Sequence, residues 1–105
     1  MIAVITHHWV KKDKFQKAQE LLDQNGFAQS HADGFIYRAT MLSKKEKNQI
    51  TSVVLWESDE IYDQWKISPA RSAVMDEASK LWSKPPESER FDIVNRTIIP
   101  APADD

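Results

Sequence analysis

The chain has 105 residues, 41% hydrophobic and 29% charged, with a net charge of −2; this fits one globular domain and gives no electrostatic reason to expect a nucleic-acid partner. It has no cysteine, which excludes disulfides, thiolate-held iron–sulfur clusters and a Cys nucleophile, and its two glycines, Gly26 and Gly34, leave no glycine-rich phosphate loop. The apolar N-terminus is too short for a signal segment and no run approaches the ~20 apolar residues of a membrane span, so a cytoplasmic protein with no membrane contact is expected.

Residues 2–9 are β-branched and aromatic and predict a strand. Asp13 and Gln16 form a D-x-x-Q pair that predicts a capping box, after which Phe15, Ala18, Leu21 and Leu22 recur at helical spacing. Asn25-Gly26 predicts the left-handed stop of that helix. Residues 35–42 predict a second strand, 43–48 a polar hairpin loop, and 49–57 a third strand antiparallel to the second. Ser58 is placed to cap a helix that carries Asp59 and Glu60 in its first turn and Ile61, Tyr62 and Trp65 along it. Ser68-Pro69 is a second start signal, for a helix that buries Ala70, Val74, Ala78 and Leu81 and is ended by Pro85-Pro86. Residues 91–99 predict the last strand, closing a single domain over 1–99, and residues 100–105 predict a flexible tail.

The order β-α-β-β-α-β is α+β and ferredoxin-like, an antiparallel sheet with its helices on one face. Ile2-Ala3-Val4-Ile5, Val53-Val54-Leu55-Trp56, Ile93-Val94 and Ile98-Ile99 do not alternate apolar with polar, as a sheet with one wet face should. The second face therefore needs a cover, and a second copy of the same sheet supplies one; a homodimer is expected.

The Asp33-Gly34-Phe35 lead into the second strand and the segment Val54-Leu55-Trp56-Glu57-Ser58-Asp59-Glu60-Ile61-Tyr62-Asp63-Gln64-Trp65-Lys66-Ile67-Ser68-Pro69 resemble the antibiotic biosynthesis monooxygenase family, over roughly residues 2–99. The resemblance implies a dimeric α+β barrel and an oxygenase that attacks a phenolic or quinol substrate without metal or flavin. Some members of the family degrade haem. Against that branch Trp65 stands where its tryptophan does, but His7 stands in place of an Asn and Met75 in place of the iron-ligating His. Methionine is a poor ligand for ferric haem beside imidazole, so haem degradation is not expected.

Neighbouring strand residues point to opposite faces, so His7 and His8 cannot hold one metal together. The family register turns His7 to the helix side and His8 to the dimer side. His7 is then either the base that takes a proton from a phenol or a strand-end histidine facing solvent. Trp65 is either the flat wall of a substrate cavity or a core anchor one turn from Ile61. Tyr37, Arg38, Tyr62 and Met75 are the candidate substrate contacts, with Tyr62 on a different helical row from Trp65. Arg38 suits an anionic group or a cross-strand ion pair. Trp56 is expected to pack. The chain is thus expected to be a cofactor-independent monooxygenase for a small aromatic or quinol molecule, with His7 and Trp65 as catalytic residues and no metal. The alternative is a non-catalytic dimer that binds a small ligand or haem.

Overall fold

In the computed structural model, which describes residues 1–97, strand β1 (Ile2–Val10) lies inside a four-stranded antiparallel sheet. Helix α1 (Phe15–Gln29), strands β2 (Phe35–Leu42) and β3 (Gln49–Trp56), helices α2 (Asp59–Lys66) and α3 (Pro69–Ala78) and strand β4 (Trp82–Asp92) follow. The strand order is β2-β3-β1-β4, the ferredoxin-like arrangement expected from the element order. Among the described residues no helix is long and apolar enough to cross a membrane.

Period two sorts the sheet into two faces. Ile2, Val4, His8 and Val10 of β1 are buried under the helices, while Ala3, Ile5, His7 and Trp9 point the other way and are half-buried. The β1–β3 register sets Trp56, Val54, Ser52 and Ile50 beside Ile2, Val4, Thr6 and His8. The helix-covered core falls into two clusters. One joins Val10, Ile50 and Trp82 to Ala18, Leu21 and Leu22 of α1 and Ala78 of α3; the other joins Ile2, Val4, Val54 and Trp56 to Trp65 of α2.

The two short helices start as their sequences demand. Ser58 Oγ accepts from the Ile61 N–H, and Ser68 Oγ accepts from the Arg71 N–H with Pro69 at the first helical position. Gly34 sits at φ +80°, in the left-handed region, and hands its carbonyl to the Glu57 N–H at 2.9 Å.

Four local expectations are corrected. The Asp13–Gln16 capping box does not form: Lys14 precedes the first helical residue with no side-chain cap, and Asp13 takes φ +65°. Asn25-Gly26 does not stop α1, which runs on to Gln29. Ala70 is exposed rather than buried. The last strand is Trp82–Asp92, not 91–99: α3 ends at Ala78, a 3₁₀ turn spans Ser79–Leu81, and residues 93–97 are outside any strand. Pro85-Pro86 therefore lies inside β4, which has β1 on only one side. Trp9 pairs with Lys84 and His7 with Glu87, so both prolines oppose His8 in a bulge where the ladder needs no donor. Residues 98–99 and the predicted tail lie outside the described residues.

Candidate functional site

The covered face of the sheet is apolar at both ends and polar in the middle. Between Val4 and Val10 the inward positions of β1 are Thr6 and His8; Ser52 stands beside Thr6 on β3, and Arg38 of β2 pairs with Val54. Asn25 and Gln29 of α1 close over them from above. Tyr62 and Trp65 of α2 and Arg71 and Met75 of α3 complete the walls of a cavity of about 50 Å³ at the junction of the two clusters. A second hollow of about 240 Å³ adjoins it, sharing Thr6, Tyr62 and Arg71 and adding Lys66, Ser88 and Arg90.

His8 is 4% exposed, and its Nδ1 is buried with no hydrogen-bond partner. Burial, and then the positive charge of Arg38, pushes its pKa from 6.5 down to about 4, so the imidazole is neutral at pH 7. Its ring packs on Trp82 at 4.6 Å between centroids. Asn25 Oδ1 is likewise buried without a partner. The Arg38 Nη1 donates to Gln29 Oε1 at 2.8 Å, and Nη2 makes a longer contact of 3.4 Å with the Leu22 carbonyl. Burial lowers the Arg38 pKa from its ordinary value, opposed by the exposed Asp23. The guanidinium reaches this place by crossing α1 at Gly26: a Cβ there would stand 2.7 Å from Arg38 Cδ and Nε. The glycine marks a close approach between helix and side chain, not a helix end.

Trp56 is fully buried and anchors an aromatic group. Trp65 stacks on it at 6.0 Å and 29°, Tyr62 lies at 5.9 Å, and Phe35 meets it edge-on at 5.8 Å. Trp65 is thus both things it was expected to be as alternatives, a packed core residue at 5% exposure and a wall of the cavity. Tyr62 shares its cavity-facing side, contrary to the separate helical row expected for it.

Of the residues singled out in the sequence, Arg38, Tyr62, Trp65 and Met75 converge on the cavity. His7 and Tyr37 do not. The orientations expected for the two histidines are reversed: His8 faces the helices and His7 the open face, because the buried stripe of β1 begins at Ile2 and returns at every second residue. A shift of one residue moves every side chain to the other face. On that open face His7 Nδ1 lies 2.7 Å from Thr51 Oγ1 and 3.0 Å from Gln49 Nε2, and Tyr37 is half-exposed. Thr6, Asn25, Gln29, Ser52 and Arg71 were missed, and His8 was assigned to the opposite face. The signal for the strand residues is present in the sequence: at period two from Ile2, Thr6 and His8 interrupt an apolar stripe.

The antibiotic biosynthesis monooxygenase family model matches residues 1–77. The chain belongs to that family. The match includes every residue that walls the inner cavity. No curated protein matches the chain. Solved structures share the monooxygenase-family fold at low identity. A putative antibiotic biosynthesis monooxygenase from Nitrosomonas europaea is 14% identical, with a TM-score of 0.83 over 90% of this chain and 100% of that one. Rv0793 from Mycobacterium tuberculosis is 16% identical, with a TM-score of 0.83 over 92% and 98%. SnoaB from Streptomyces nogalater, a cofactor-independent oxygenase, is 11% identical, with a TM-score of 0.79 over 95% and 97%. At these identities the likeness carries the fold alone.

Proposed function

We propose that this family member is a cofactor-independent monooxygenase of a small phenol or quinol, bound with its reacting hydroxyl beside His8 and its ring against Tyr62 and Trp65. The observation that carries the proposal is the pair of buried, unpartnered polar atoms, His8 Nδ1 and Asn25 Oδ1, on two residues that line the cavity. An unsatisfied buried polar group costs about 1–3 kcal/mol, and a ligand hydroxyl removes that cost. His8 replaces His7 as the candidate base. Neutral imidazole accepts the phenol proton; burial and Arg38 disfavour the imidazolium, but the phenolate left beside it supplies the compensating charge. The phenolate is electron-rich enough to reduce O₂. One oxygen atom then enters the ring, the other leaves as water, and a phenol becomes a quinone with all four electrons drawn from the substrate. The inner cavity of about 50 Å³ lies far below the ~300–1,000 Å³ of ordinary ligand sites, so it takes a head group, with the rest of the molecule extending past Tyr62 into the 240 Å³ hollow. Oxygen uptake with a panel of quinols tests the proposal. His8→Gln is expected to lower kcat by about 100-fold or more; full turnover in that variant, or binding with no oxygen uptake by the wild type, sinks it.

The functional unit in this proposal is a homodimer joined through the open face. Ala3, Ile5, Val53 and Leu55 are half-buried there, and Tyr37, Met41 and Phe91 are 51%, 42% and 42% exposed, an apolar surface that a second sheet would cover. Light scattering should return twice the 12.1 kDa of the chain; a folded monomer at micromolar concentration refutes it.

A further inference from the structure

The charge balance of the cavity is uneven. Arg90, on the outer hollow, is held by Asp59 at 2.9 Å and also by Asp63, and among the described residues these are the two ion pairs. Arg38 and Arg71 both wall the inner cavity and, among the described residues, neither forms an ion pair with a carboxylate; the exposed Asp23 acts on Arg38 only from farther away. Their partners are neutral: Arg38 donates to the Gln29 amide and the Leu22 carbonyl, and Arg71 makes a 3.5 Å contact with the Lys66 carbonyl. Burying a cation without a counter-charge is costly unless an anion completes the site.

We propose that the ligand carries a carboxylate beside its ring, gripped by Arg38 in the inner cavity with Arg71 at the mouth. This rests on the cavity being the substrate site. A guanidinium has five N–H donors, and Arg38 spends Nη1 on Gln29 and a long Nη2 contact on Leu22, leaving donors for both oxygens of a planar carboxylate. A single negative charge matches the one guanidinium fixed inside, and a cavity of about 50 Å³ suits a flat two-oxygen group better than a tetrahedral phosphate. Gly26 is part of the device, because it lets the Arg38 stem lie against α1.

Calorimetric titration with three probes tests this: a dihydroxybenzoate, the matching dihydroxybenzamide and plain hydroquinone. The wild type is expected to bind the benzoate at least about tenfold more tightly than the amide. That ratio should fall to near one in Arg38→Gln. It should also fall in Gly26→Ala, which keeps the charge but moves it and keeps a good helix. A wild type that binds amide and benzoate equally, or binds none of the three, overturns the proposal, as does a ratio that survives Arg38→Gln. Benzoate preference without oxygen uptake upholds the carboxylate site and sinks the oxygenase; oxygen uptake from hydroquinone with no benzoate preference does the reverse.

Discussion

His8 ties the stability of the fold to pH in a direction set by its burial. In the unfolded chain its imidazole titrates near the ordinary 6.5, while in the fold burial and the nearby arginines hold it at about 4. Between those values the unfolded chain binds a proton that the native state refuses, so the free energy of unfolding rises with pH across the window. The contribution is complete above 6.5, declines as the pH falls, and is gone once the folded group also titrates, near 4. At ~1.36 kcal/mol per pH unit, that gap is worth roughly 3 kcal/mol. Urea melts of the wild type and of His8→Gln, taken from neutral pH down to this lower limit at constant ionic strength, isolate it. The carboxylates titrate in both proteins and cancel, whereas Gln carries no proton to gain. The stability of the wild type relative to the variant should therefore fall by roughly 3 kcal/mol on acidification. Parallel profiles would refute a buried neutral His8. A carboxylate ligand beside Arg38 should raise the folded pKa and narrow the window from below.

Gln29→Glu should pair Arg38 with a carboxylate of the chain itself; melts should show a gain of roughly 1–2 kcal/mol at neutral pH, and titration a loss of preference for benzoate over amide. Gly34→Ala puts a Cβ against Ile61 at a residue whose φ is +80°, and should cost about 2–4 kcal/mol in a denaturant melt. Trp65→Ala should cost about 3–5 kcal/mol, the full loss of a packed aromatic, because the ring stacks on the buried Trp56; a loss below about 1 kcal/mol would show that it is a loose wall only.

What was legible in the sequence was what local chemistry decides. Ser58 and Ser68-Pro69 each supply a cap and a start, and the structure uses both. The β-branched runs of β1, β2 and β3 fixed the sheet, and the Trp56-to-Pro69 segment fixed the family. The failures lie where a residue answers to a distant neighbour. Gly26 reads locally as a stop, but its reason is the Arg38 stem arriving from the next strand. Pro85-Pro86 reads as a breaker, yet an edge position opposite His8 tolerates two missing donors. Arg71 lies on a helix whose cavity-facing side is decided by how α3 packs, which no spacing along its own sequence announces.

The choice of side chains around Arg38 separates a binding site from a structural ion pair. A fold needing only to satisfy this guanidinium would place a carboxylate beside it, as Asp59 and Asp63 are placed beside Arg90. Here the partner at 2.8 Å is an amide, which orients the guanidinium and leaves its charge intact. His8 is neutral in the same cavity, so it does not add to that charge at pH 7. The apolar core is meanwhile divided into two clusters around polar groups that find no partner among the described residues. An uncompensated buried cation and unpartnered buried polar atoms are costly to the fold by themselves, and under the proposal an anionic, hydrogen-bonding ligand offsets that cost. Their coincidence at one junction, within the part of the chain that defines the family, argues for a ligand over a packing defect.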